Sequence, residues 1–147
     1  IKKLEKNKST NTKNILDQVE KNIPTLLRSL KIQKKAASLN FEWESETQVL
    51  NKIDEEIYEL KDALKMNDKK MIEDELGDLF FTIINLSWRL NLDPEQTIRK
   101  ANKKFTSRFN EMENFIEENK LKWHNLKKDD FKNLWNKVKN KQRGINE

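Results

Sequence analysis

The sequence predicts an all-α fold, a bundle of about five helices, and three observations predict it. Only two glycines and two prolines occur in 147 residues, so turn formers and helix breakers are sparse. Charged residues make up 37% and hydrophobic ones 35%, a mixture that suits long helices with one apolar stripe each. No stretch alternates apolar and polar residues for long enough to make a half-buried strand. The length fits one domain able to bury a continuous core.

Residues 1–13, rich in Lys, Asn, Ser and Thr, read as a linker or flexible tail, and residues 14–147 as the domain. A first helix is expected over 24–39, with Pro24 in the first turn, where a missing amide hydrogen costs least, and Asn40 as a left-handed cap. Ser45 and Gln48 match a capping box and open a second helix over 45–66. Its expected buried stripe is Val49, Ile53, Ile57, Leu60 and Leu64. Asn67 and Asp68 mark a tight turn. The third helix, 69–90, is apolar on several sides from Leu79 onward, so that half is expected to be buried on two faces. Asp93-Pro94-Glu95-Gln96 combines a cap, a proline at the first helical position and a Gln three residues on. The helix it opens turns Ile98, Ala101, Phe105, Phe109, Met112 and Ile116 inward and ends near Asn119. A last helix, 130–141, buries Phe131, Leu134, Trp135 and Val138.

A helix that is apolar on several sides suits a bundle whose core is completed by a second copy, and a homodimer is the expected arrangement. The alternative is a monomer whose first and last helices cover the surplus. The absence of cysteine excludes disulfides, thiolate metal sites and a thiol nucleophile. Cytoplasm is the default location. No apolar stretch approaches the roughly 20 residues of a membrane span, and no signal-peptide core follows the charged start, so no membrane partner is expected. A start at Ile1 rather than methionine fits a fragment of something longer.

The formal charge of +5 conceals a segregation. Residues 1–41 carry ten basic and three acidic side chains, residues 42–78 five and thirteen, and residues 79–147 fifteen and nine. An acidic centre between basic arms suits the metal complex of a small phosphorylated ligand better than a nucleic-acid polyanion, so no stable nucleic-acid partner is expected. Solvated helix faces would give the same charge pattern.

The acidic centre holds Glu55-Glu56-Ile57-Tyr58-Glu59 and Glu75-Leu76-Gly77-Asp78. Glu56 and Glu59, like Glu75 and Asp78, are three apart and share a helix face. Two carboxylates about 4 Å apart repel by roughly 4 kcal/mol at an effective dielectric near 20, so a converging set needs protons or cations. A lone Glu-x-x-Glu is ordinarily a solvated face. Here both pairs sit among apolar residues, and Gly77, costing about 1 kcal/mol against alanine in a helix, hints that a partner helix or ligand approaches closely there. Hard oxygen ligands without His or Cys select Mg2+, with Mn2+ as the alternative. The single histidine, His124, has no partner for a di-iron site and is assigned no role. Lys104 and Arg108, four apart beside Phe105, could supply the cations of a phosphate site, and Trp135 and Lys139 repeat that spacing. Each taken alone is an ordinary solvated charge or core aromatic.

The strings LKIQKKAASLNFEW (30–43), EEIYEL (55–60), EDELGDLFFTIINLSW (73–88), ANKKFTSRF (101–109) and LWNKVK (134–139) together resemble the MazG family of nucleoside triphosphate pyrophosphohydrolases. The likeness covers nearly all of residues 14–140, and residues 1–23 resemble the segment joining the halves of two-domain members, which implies a C-terminal domain. It further implies a dimeric, all-α, Mg2+-dependent enzyme that splits nucleoside triphosphates into monophosphate and pyrophosphate, a reaction suited to nucleotide-pool housecleaning. By motif, Glu56, Glu59, Glu75 and Asp78 would be metal ligands, and Glu55 would bind metal or orient water. Lys104, Arg108, Trp135 and Lys139 match positions that contact the nucleotide. Asn40 departs from the glycine expected before Phe41-x-Trp43, although asparagine tolerates positive φ. The expected reaction is attack on the α-phosphorus by a water activated at the metal with help from Glu55 or Glu56. Two other readings remain: a related enzyme acting on dUTP or phosphoribosyl-ATP, and a non-catalytic helical dimer that binds nucleic acid or protein.

Overall fold

The computed structural model describes residues 14–144, and the tail expected at 1–13 lies outside them. A short 3₁₀ turn, Ile15–Gln18, precedes α1 (Thr25–Ala37), α2 (Glu46–Met66), α3 (Lys69–Arg89) and α4 (Pro94–Glu118). A second 3₁₀ turn, Trp123–Asn125, then leads into α5 (Lys128–Gln142). No strand occurs among the described residues, so the all-helical expectation is met. The chain divides between Gln96 and Thr97, in the first turn of α4, into two compact units.

The first unit is built on caps. Asn40 adopts φ 67°, and its amide donates to the Ala37 carbonyl at 2.9 Å while the Phe41 amide donates to Ala36 at 3.1 Å. These bonds satisfy carbonyls left open at the end of α1. At the start of α2 the Ser45 hydroxyl accepts from the Gln48 amide at 3.3 Å. The Gln48 side chain reaches back to the Glu44 amide at 2.8 Å, one residue before the position a capping box prescribes. Asn67, at φ 53°, closes α2. Asp68 opens α3 by accepting from the amides of Lys70 and Met71 at 3.1 and 3.3 Å. Two residues thus fold α2 and α3 into an antiparallel hairpin, the most extensive helix pairing in this unit. A polar relay ties α1 to α3. The buried Gln33 donates its Nε2 hydrogen to the Phe81 carbonyl at 3.0 Å and accepts from Asn85 Nδ2 at 2.7 Å.

The buried line of α2 differs from the expected stripe. Val49, Glu56 and Ala63 are its buried residues, spaced by seven, whereas Leu64 is 56% exposed and Ile57 lies at the surface. A repeat of seven is the seam of two helices packed side by side, and it selects Glu56 over Ile57. On α3 the buried residues are Thr82, Ile84 and Asn85, while Phe80 is 63% and Ile83 44% exposed. Burial on two faces is therefore not found within this unit.

The second unit packs Met112, Ile116 and Val138 together, with Phe109, Leu126, Phe131, Leu134 and Trp135 against them. Trp123 lies between Phe109 and Phe131, with ring centroids at 5.5 and 5.8 Å. Ile98 and Phe105, expected inward, are 50% and 59% exposed. The inward row of α4 starts further along, at Phe109. Helix α5 starts two residues before the expected position, because Asp130 acts from inside the first turn, accepting from the Lys127 amide at 2.9 Å. Ile116→Ala should destabilise this unit by about 2–5 kcal/mol in urea denaturation, since its fully buried side chain leaves a cavity, while Phe105→Ala should cost far less.

Candidate active site

The α2–α3 hairpin sets the register of the acidic residues. Glu59 and Glu56 stand eight and eleven residues before Asn67, and Glu75 and Asp78 stand eight and eleven after it. Residues equidistant from the turn of an antiparallel hairpin lie at the same height, because both helices rise about 1.5 Å per residue. Oxygen atoms of Glu56, Glu75 and Asp78 accordingly lie within 4.8 Å of one another. Glu59 is outside that set of three but within hydrogen-bonding reach of Glu75. Glu55 is also outside that set, half exposed, with Oε1 3.4 Å from Lys52 Nζ.

Glu56 occupies an apolar line of α2 and is only 4% exposed, a costly place for a charge unless it is paired. Its Oε1 takes Lys52 Nζ at 3.2 Å, and its Oε2, like Glu75 Oε2, is enclosed without a hydrogen-bond partner. Lys52 was not among the residues singled out from the sequence. The available signal was its place four residues before Glu56 on the same face. The bond to Glu56 is the chief reason that the Lys52 ammonium is held above its usual range, with Glu55 assisting.

Enclosure pushes the Glu75 carboxyl up to about 7, with hydrogen bonding to Glu59 and Glu56 and their negative charge adding to it. Burial, followed by the charges of Glu56 and Asp74, raises Asp78 as well. Near neutrality Glu75 thus still holds its proton part of the time, a proton that a cation would displace. Two enclosed oxygens without partners, in an all-oxygen donor set, fit a hard divalent ion, and Glu56, Glu75 and Asp78 are the residues that could hold it. A Cβ added at Gly77 would meet nothing within 4 Å. No other part of the described chain comes close to Gly77, which borders an open hollow of about 640 Å³ beside Asp74 and Asp78.

The candidate nucleotide contacts lie on α4 and α5 of the second unit. Lys104 is exposed and Lys139 half-buried. Arg108 is buried and donates from Nε to Gln142 Oε1 at 3.3 Å, while Gln142 Nε2 donates to Ser107 and Glu111. Trp135 rests against Phe105 with ring centroids 5.1 Å apart. The α4–α5 pairing thus brings Arg108 and Trp135 to one seam, each already engaged by a neighbour.

Comparison with known proteins bears on this geometry. The family model for the MazG nucleotide pyrophosphohydrolase domain matches residues 44–112, which include every carboxylate of the cluster. The nucleoside triphosphate pyrophosphohydrolase/pyrophosphatase MazG of Thermotoga maritima is 38% identical over 139 residues, covering 95% of this chain and 52% of that protein. The nucleoside triphosphate pyrophosphohydrolase of Escherichia coli K12 is 34% identical over 131 residues, covering 86% and 49%. The uncharacterized protein YabN of Bacillus subtilis is 32% identical over 144 residues, covering 97% and 29%. The chain spans about half the length of the two pyrophosphohydrolases it matches. These similarities support the MazG family for the chain, as its motifs imply. No helix among the described residues is long and apolar enough to cross a membrane.

The raised Glu75 carboxyl carries a pH dependence. Its folded value of about 7 exceeds the ordinary 4.5, so the folded state binds the extra proton, and the stability this contributes is complete below 4.5 and lost as pH rises through 7. With chelator present, the melting temperature should fall across that window. Added Mg2+ should raise it more at pH 8 than at pH 5.5, as scanning calorimetry would record.

Proposed function

We propose that the chain hydrolyses nucleoside triphosphates between the α- and β-phosphates, releasing a nucleoside monophosphate and pyrophosphate, with Mg2+, or Mn2+ in its place, as the cofactor. The observation that carries this reading is the convergence of Glu56, Glu75 and Asp78 within 4.8 Å, with two of their oxygens enclosed and unpartnered. The similarity to two proteins named as nucleoside triphosphate pyrophosphohydrolases supports it. When bound, a divalent cation supplies positive charge against the phosphates and makes water more acidic. Glu56, Glu59, Glu75 and Asp78 hold that charge. Glu55 or Glu56 accepts the proton from the attacking water, and of the two, Glu55 is the one open to solvent. Lys52 fixes Glu56 in position.

On the same reading, Lys104, Arg108 and Lys139 offset charge on the phosphates, and Trp135 offers an aromatic face to the nucleotide. Residues 14–147 act as one MazG-like domain, corresponding to the C-terminal half of two-domain members and working in the cytoplasm on the nucleotide pool. The chain works as a homodimer, a reading supported by the exposed Phe80 and Ile83 of α3.

Glu59→Gln and Asp78→Asn should each lower Mg2+-dependent pyrophosphate release by at least a hundredfold without unfolding the chain, because each removes charge that the cation requires. A panel of canonical and damaged nucleoside triphosphates, with dUTP and phosphoribosyl-ATP included, followed for pyrophosphate against orthophosphate, checks both bond and substrate. Wild-type rates in either variant, or orthophosphate alone, would refute the assignment.

A further inference from the structure

A cleft of about 590 Å³ in the first unit opens beside the carboxylate cluster. Phe41, Trp43 and Phe81 contribute aromatic surface to it, Gln33 and Asn85 contribute amides, and Lys52 belongs both to its wall and to the Glu56 ion pair. That lysine therefore borders both the cleft and the carboxylate cluster where the triphosphate is proposed to sit. The left-handed turn at Asn40 presents Phe41, which is 81% exposed. A large aromatic side chain so open to water at the lip of a cleft is suited to lie against a planar heterocycle.

The polar groups of the cleft have a fixed orientation. The Phe81 carbonyl can only accept, so the Gln33 group bonded to it is the amino group, and the Gln33 oxygen then faces Asn85. Asn85 must answer with its own amino group, at 2.7 Å. Its Oδ1 is left over: a buried acceptor with no partner on a side chain only 4% exposed. Buried polar atoms without partners are uncommon and costly, and this one belongs to a residue that lines the cleft.

We infer that this cleft receives the base of the substrate nucleotide, and that Asn85 Oδ1 selects adenine and cytosine, whose 6- or 4-amino group can donate to it, over hypoxanthine and uracil, which carry an oxo group at that position. The inference rests on the proposed hydrolysis only for the identity of the ligand as a nucleotide. The base enters by parting the side chains over Oδ1 and lies along Trp43 and Phe41, with its amino group donating to Asn85. An oxo group at that position would set oxygen against oxygen, and Asn85 cannot turn over without breaking its bond to Gln33. Asn85 is thereby a specificity-determining residue, and Gln33 a positioning residue that acts through it.

The test is calorimetric binding, with Mg2+ present, of α,β-methylene triphosphates in two pairs: adenosine against inosine and cytidine against uridine. In the wild type the amino member of each pair should bind about tenfold more tightly. That gap should close in Asn85→Leu, whereas Trp43→Leu should weaken all four ligands together and leave the gap intact. Melting temperatures of the variants check that they fold. Pyrophosphate release by the wild type is measured separately, so a failed reaction and a failed base cleft are distinguishable. Equal binding within each pair, a gap that survives Asn85→Leu in a folded variant, or a preference that responds to Trp135→Leu and not to the cleft variants would overturn the inference.

Discussion

The first unit depends on one constraint: a carboxylate placed in the apolar seam between two helices. Glu56 follows Val49 and precedes Ala63 at the same interval, so the packing that buries its neighbours buries it too. A charge in that position demands compensation, and the hairpin supplies only half of it through Lys52. The other oxygen, with Glu75 and Asp78 brought level by the turn, is a standing demand for positive charge. The hairpin therefore gives up stability in order to keep carboxylates converged, and the same desolvation that makes the cluster costly suits it to a cation.

Much of this was legible in the sequence. Helix order, the caps at Ser45 and Asp93, the left-handed end at Asn40, the tight turn at Asn67 and Asp68 and the acidic pairs all follow from local chemistry, and local chemistry is what a sequence displays. Misreadings arose where a helix had several defensible apolar faces. Ile57 and Leu64 are more hydrophobic than Glu56 and Ala63, so a stripe chosen by hydrophobicity alone rotates away from the seam; the interval of seven through Val49 and Ala63 carried the correct phase. In α4, Ile98 and Phe105 have the same period as Phe109 and Met112, but Ile98 is half exposed and Phe105, although it touches Trp135 of α5, is 59% exposed; no feature of one helix reveals where its neighbour begins.

The candidate site divides along the same line. The meeting of Glu56 with Glu75 and Asp78 could be read from equal distances to Asn67, since a two-residue turn leaves little freedom of register. Lys52 and Asn85 were overlooked because each is unremarkable locally. A lysine one turn before a glutamate is commonplace, and an asparagine in a hydrophobic helix has meaning only once Gln33, some fifty residues away, is placed against it. Long-range polar pairing is what folding adds to the sequence.

The four left-handed non-glycine residues among those described, Asn40, Asn67, Asn91 and Lys120, each follow the last turn of a helix. Glycine in these places would be relaxed when folded but would widen the range of conformations open to the denatured chain. Asparagine accepts a little local strain in return for a narrower denatured ensemble. A protein with so few glycines thus loses none of its sharp corners, and its helix ends are defined by residues whose own side chains restrict where the chain can go next.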